Sequence, residues 1–196
     1  MNYSSNDMSR NNRPLLLLHA CCAVCAIKSI PILSQKWTLE LLFENSNIHP
    51  RSEWLARLQA LKTVSEKYAI TTHVTDWSPK QWYTAIGHMS DNTHKRRCRR
   101  CWHMRLEKTA TATVSHKIPA FSTTLLSSTY QDRSQINTIG KRLAERHAIE
   151  WIPYSISANT IPTTQVAPPF YRQNYCGCIY SLLGRYESYT KDIPGT

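Results

Sequence analysis

Seven cysteines stand in three groups along this chain: Cys21, Cys22 and Cys25; Cys98 and Cys101; Cys176 and Cys178. Clustering at CCxxC, CxxC and CxC spacing points to metal or redox chemistry rather than to cysteine used as a small buried apolar residue. Two kinds of centre gather thiolates from distant parts of a chain. Tetrahedral zinc takes four ligands, often as two CxxC pairs. A [4Fe–4S] cluster also takes four thiolates and adds redox activity. Adjacent side chains diverge, so the Cys21-Cys22 pair suits a cluster better than a zinc knuckle. Cys98 and Cys101, three apart at the start of a predicted helix, share one face, and the positive helix end there favours thiolate. Cys21, Cys22, Cys98 and Cys101 then make one site, with Cys25 nearby as a fifth thiolate for a second metal. Cys176-Gly177-Cys178 differs, since two cysteines flanking a glycine can close a small, strained, labile disulfide. Beside a cluster, that pair would be a two-electron relay; the reading of both as further metal ligands stands next to it.

Other polar residues are weaker signals. His19 and His103 are each a potential proton donor, but a satisfied core histidine is the better reading of both. The hydroxyls of Ser122, Thr123 and Thr124 are expected to bond within the sheet. Asp132 fits a charge matched to a helix N-terminus, with an acid or iron-ligand role as the lesser reading. Lys95, Arg96, Arg97, Arg99, Arg100 and Arg105 concentrate positive charge beside Cys98 and Cys101. With 24 Lys+Arg against 13 Asp+Glu the net charge is +11, an electrostatic footprint for a polyanion. Trp102, Tyr130 and Tyr171 are candidates for stacking an unpaired base, although each reads more readily as core or wall.

The elements that must position these residues follow an α/β pattern. Pro14-Leu-Leu-Leu-Leu-His19 is a continuous apolar run, as in a strand buried on both faces. Further strands are predicted at 37–43, 70–75, 119–126 and 151–155. Helices are predicted over 23–35, with Pro31 kinking or ending it early, from 52 to 68, 79–86, 97–116, 131–147 and 179–189. Trp54, Leu58, Leu61 and Tyr68 sit at helical spacing on the second helix, and Ile136, Ile139 and Leu143 point inward on the fifth. The alternation predicts a Rossmann-like α/β fold, a parallel sheet of about five strands with flanking helices. Cys21 and Cys22 directly follow the first strand, where such sheets carry a phosphate loop. Neither GxGxxG nor GxxxxGK[ST] is present, so nicotinamide and ATP are rejected as bound cofactors, and no flavin motif is found. Residues 1–13 read as a disordered polar leader and 14–196 as one α/β iron–sulfur domain. The segment 157–169, with three prolines and three threonines, reads as a loop. The leader has no apolar signal region, and the run Leu15–Leu18 is far below the ~20 residues that span a bilayer. A soluble, cytoplasmic protein without membrane partners is expected, where thiols stay reduced.

Five stretches together resemble a known family. They are Leu17-Leu18-His19-Ala20-Cys21-Cys22-Ala23; Asn47-Ile48-His49-Pro50 followed by Glu53 and Arg57; Arg97-Cys98-Arg99-Arg100-Cys101 followed by Arg105-Leu106; Phe121 to Leu126; and Tyr171-Arg-Gln-Asn-Tyr-Cys-Gly-Cys-Ile-Tyr-Ser181. In that order they are similar to the QueH-type epoxyqueuosine reductases over about residues 15 to 181. The resemblance implies a nucleotide alpha-hydrolase-like fold and reduction of epoxyqueuosine to queuosine at the tRNA anticodon wobble position, the last step of queuosine biosynthesis. It also implies a [4Fe–4S] cluster on Cys21, Cys22, Cys98 and Cys101, with Cys176 and Cys178 as a redox pair. An additional iron beside the cluster is implied, for which Cys25 is the spare thiolate. Two stretches depart from the family pattern: Met89 to Arg96, usually acidic and Gly-containing, and the Pro/Thr-rich segment 157–169. The partners expected are tRNA carrying epoxyqueuosine and an external electron donor. A reading from another class, a zinc-stabilised RNA-binding module without catalysis, also fits the thiols and the charge.

Overall fold

A computed structural model describes residues 13–86, 94–156, 171 and 173–190. The leader 1–12, most of the segment before Arg97 and the loop 157–169 lie outside the described residues. Five strands form one all-parallel sheet: β1 Leu15–His19, β2 Thr38–Phe43, β3 Thr72–Val74, β4 Ala120–Thr123 and β5 Glu150–Trp151, in the order β3-β2-β1-β4-β5. β1 is central, with Leu17 registered against Glu40 on one side and Phe121 on the other. Its leucines are therefore buried on both faces. Leu16 and Leu18 join Leu41, Phe43 and Trp54 in one apolar cluster, while Leu17 joins Leu42, Phe121 and Leu143 in the other, the period-two alternation of a strand.

The helices are α1 Ala23–Leu33, α2 Arg51–Tyr68, α3 Pro79–Ile86, α4 His94–Ser115, α5 Arg133–His147 and α6 Ile179–Thr190. α1 carries Pro31 inside it and ends two residues later. The expected strand 119–126 is shorter: β4 stops at Thr123 and Thr124–Ser127 tightens into a 3-10 turn, capped by the Thr123 hydroxyl accepting from the Leu125 amide at 3.2 Å. That turn carries Thr124 over the end of β1. α5 presses on β5 so closely that a Cβ on Gly140 would lie 2.3 Å from the Trp151 ring. Ile136, Ile139 and Leu143 are buried, as their spacing predicts. On α2, Trp54 and Leu61 are buried, and so are Glu53 and Arg57 on the same helix. Among the described residues no helix is long and apolar enough to cross a membrane.

Candidate active site

The strand order reverses between β1 and β4, where open α/β sheets place their ligand crevice. Cys21 and Cys22 emerge from β1 at that point. Cys22 caps α1, its Sγ accepting from the Cys25 amide at 3.4 Å. The cap turns the chain so that the Sγ atoms of Cys21, Cys22 and Cys25 all lie within 4.8 Å of one another. Thr124 holds the first of them: its hydroxyl accepts from the Cys21 amide at 3.1 Å and donates to Cys21 Sγ at 3.4 Å. So Thr124 bonds outward to the thiol corner, whereas Ser122 bonds the Ile152 carbonyl within the sheet. Hydrogen bonds from the Cys22 and Cys25 thiols hold Cys21 well below the usual thiol range against the cost of burial, aided by the charge of Arg105 and by Thr124. Those same contacts to Cys21 push Cys22 up to about 12 and Cys25 well above its ordinary value. The three sulfurs form no disulfide, and Cys21 is the one whose thiolate the other two favour. That donor set fits a metal–thiolate group.

The opposite wall comes from α4 and the segment before α6. α4 begins at His94 rather than at Arg97, so Cys98 and Cys101 stand a turn or more inside it. The expected help from the helix end is lost with that distance, because it fades within the first turn. Burial raises both thiols, Cys98 to about 11 with added repulsion from Cys101 and Cys178. Trp82 Nε1 donates to Cys101 Sγ at 3.3 Å, and Cys178 packs against the same small cluster. Cys176 and Cys178 are both free thiols. A hydrogen bond from Cys176 lowers Cys178 to about 5, while Cys178 and burial push Cys176 well up. Cys176 therefore keeps its proton and Cys178 carries the charge.

Sequence reasoning named Arg57 and Glu53 without a role, and the structure supplies one. Arg57, 2 % exposed, bonds Glu53 at 2.6 Å and donates to the carbonyls of Cys176 and Tyr175, each at 3.2 Å. Tyr171 donates to Glu53, Tyr175 to the His49 carbonyl, and the His49 amide to the Gly177 carbonyl at 2.8 Å. Gly177 has φ +119°, a backbone state that L side chains rarely adopt. The CxC thiols are thus delivered to the cleft by a buried clamp built on α2.

Two further expectations change. Arg105 is not part of the exposed basic group: it is 2 % exposed inside the molecule, because residue 105 falls on the face of α4 that carries Cys101 and Trp102 inward. Lys95, Arg96, Arg99 and Arg100 do face solvent. His103 is exposed rather than a core histidine. His19 is one, with Nδ1 2.7 Å from Thr123 Oγ1 and Nε2 3.0 Å from the Glu44 carbonyl, and burial and then Arg105 lower it to about 4. Asp132 caps α5 by accepting from the Gln135 amide at 3.0 Å. Trp102 is buried and donates to Gln131 at 2.8 Å. Of the three aromatic candidates Tyr130 is the most open, 94 % exposed at the rim, while Tyr171 is 41 % exposed with its hydroxyl on Glu53.

All these walls bound one cleft of about 1000 Å³, lined by Cys21, Cys25, Cys98, Cys101, Cys176 and Cys178 among others. A family model described as Epoxyqueuosine reductase QueH matches residues 16–183. Curated proteins of the same description are similar to the chain. One from Haemophilus influenzae is 33% identical over 175 residues, 85% of this chain and 71% of the relative. One from Thermotoga maritima is 31% identical over 184 residues, 90% of this chain and 94% of the relative. One from Acinetobacter baylyi is 32% identical over 179 residues, 88% of this chain and 82% of the relative.

Proposed function

Since this chain belongs to the epoxyqueuosine reductase QueH family, we propose that its sulfur-lined cleft is where the epoxide oxygen of epoxyqueuosine is removed. The activity is epoxyqueuosine reduction, in queuosine biosynthesis. The observation that carries the assignment of the site is the meeting of six cysteines from three distant segments around one cleft. Cys21, Cys22, Cys98 and Cys101 would hold a [4Fe–4S] cluster, and Cys25 an additional iron. Such a group, when bound, supplies single electrons and a Lewis acid for the epoxide oxygen.

Cys176 and Cys178 form the redox pair. Turning the epoxide into an alkene takes two electrons and two protons and releases water. The Cys176 thiol and the Cys178 thiolate supply both electrons and one proton as they close to a disulfide. Solvent supplies the second proton, the one Cys178 released on ionising, so that the oxygen leaves as water, and an external thiol or protein reductant reopens the disulfide. The protonation states support this direction, since the thiolate is already formed at Cys178 and the proton already sits on Cys176. Arg57 and Gly177 set where the pair stands.

The substrate base is the wobble nucleotide of a tRNA. The exposed Lys95, Arg96 and Arg99 at the cleft mouth support phosphate contacts, and Tyr130 offers a face on which an unpaired base stacks.

Metal and sulfide analysis of anaerobically purified protein tests the reading: about four irons and four sulfides per chain are expected for the cluster. Stoichiometric zinc without iron overturns it. Serine at Cys21, Cys22, Cys98 or Cys101 should lower bound iron. Serine at Cys176 or Cys178 should leave iron in place and stop queuosine formation, scored by nucleoside mass spectrometry of tRNA from a reductase-deficient host. Iron lost from the Cys176→Ser protein makes that residue a ligand.

A further inference from the structure

Arg105 lies one helical turn beyond Cys101 on α4 and is buried. Its Nη2 donates to Asn45 Oδ1 at 2.6 Å and lies 3.2 Å from His19 Nε2. Neither Asn45 nor His19 is a carboxylate. No carboxylate pairs with it among the described residues. The nearest acid, Glu44, is taken by Lys108 at 3.1 Å and by the Ser46 and Thr75 hydroxyls. Arg105 Nε has no acceptor among the described residues. An interior guanidinium with no carboxylate partner and an unmet N–H is costly, and the cleft it lines is where an anion can reach it. The groups that favour its charge most, after the cost of burial, are the sulfurs of Cys101, Cys21 and Cys176. These belong to both walls of the site.

We propose that Arg105 is a positioning residue for the metal–thiolate group, a fixed interior counter-charge to the sulfurs of Cys21 and Cys101 whose Nε–H is met by the group bound between them. The assignment rests on reading the cleft as an iron–thiolate site. A buried positive charge favours the more negative redox state, as charge and hydrogen bonds to sulfur generally tune such centres. Arg105 therefore holds the midpoint potential up without touching the substrate.

Redox titration of anaerobically purified protein, followed by visible absorbance and EPR, tests this. Arg105→Gln and Arg105→Met should shift the midpoint to more negative values, while Arg105→Lys, which keeps the charge, should shift it less. Asn45→Asp tests the same charge without removing the arginine: a carboxylate at 2.6 Å from Nη2 offsets it, so the midpoint should again move negative in a protein of almost unchanged shape. Iron lost from the Gln and Met variants but kept by Lys also supports the counter-charge. Full iron with an unmoved midpoint in Arg105→Gln or in Asn45→Asp overturns the assignment, as does loss of iron equally in Lys, Gln and Met variants that retain native circular dichroism. Zinc without iron in the unmutated protein overturns the underlying site reading instead.

Discussion

Arg57 and Arg105 are equally buried, each 2 % exposed, yet they stand in opposite electrostatic surroundings. Arg57 has a carboxylate at 2.6 Å and two backbone carbonyls at 3.2 Å. Arg105 has an amide oxygen, an imidazole and an unmet Nε. A cation whose charge is balanced inside the protein can only build. One whose charge is left over can act on whatever binds next to it. Arg57 accordingly fixes the backbone that carries Cys176 and Cys178, and Arg105 lies between the thiols of the two walls.

The largest effect that follows is structural. Arg57→Ala strands Glu53 as a buried charge and frees the 175–177 segment, so a loss of about 3–5 kcal/mol is expected in urea denaturation, together with loss of reductase activity. A smaller loss than Glu53→Gln alone would mean that the pair does not build the clamp. Next is Gly177→Ala, where an added Cβ must take φ +119° and would sit 3.1 Å from Ile48 and 3.2 Å from the Arg57 guanidinium. About 1–3 kcal/mol is expected, with turnover falling further than stability because the CxC pair is displaced.

Lys108 and Glu44 are an intermediate case, a half-exposed cation on a buried carboxylate. Burial opposes ionisation of Glu44, but the Thr75 and Ser46 hydroxyls and Lys108 outweigh it and hold the carboxyl below its ordinary value. The unfolded chain then takes up this proton first. The stability is present above the ordinary carboxylate range and is lost as pH falls through the lowered pKa. Lys108→Met should cost about 1–2 kcal/mol near neutral pH and move the acid limb of the urea midpoint to higher pH; an unmoved limb removes Lys108 from the account. The smallest effect belongs to Arg146, 61 % exposed and 3.1 Å from Glu107. Arg146→Ala should change stability by less than about 1 kcal/mol, measured in the same denaturation series. A larger loss would break the ranking by burial on which the comparison depends.

Much of the architecture is legible in the residues. The apolar run after Pro14 marks the central strand, and the spacing of Ile136, Ile139 and Leu143 marks the buried face of α5. Other boundaries are not local. Thr124 leaves the extended state because the chain must turn over Cys21, and β5 is only two residues long. Cys25 looks like a spare thiol along the sequence; the Cys22 cap returns it to the Cys21-Cys22 pair.

The sequence by itself determined the thiol groups, the parallel α/β alternation and the family motifs, because periods of 2 and 3.6 residues encode short-range geometry directly. Only the tertiary structure decided which cations are exposed and which are interior. Arg105 is four residues from Cys101 and reads as one more member of a basic run. Its partners, Asn45 and His19, lie 60 and 86 residues away. Desolvation and counter-charge depend on the elements that close around a side chain, and that information exists only once β1, β2 and α4 are packed.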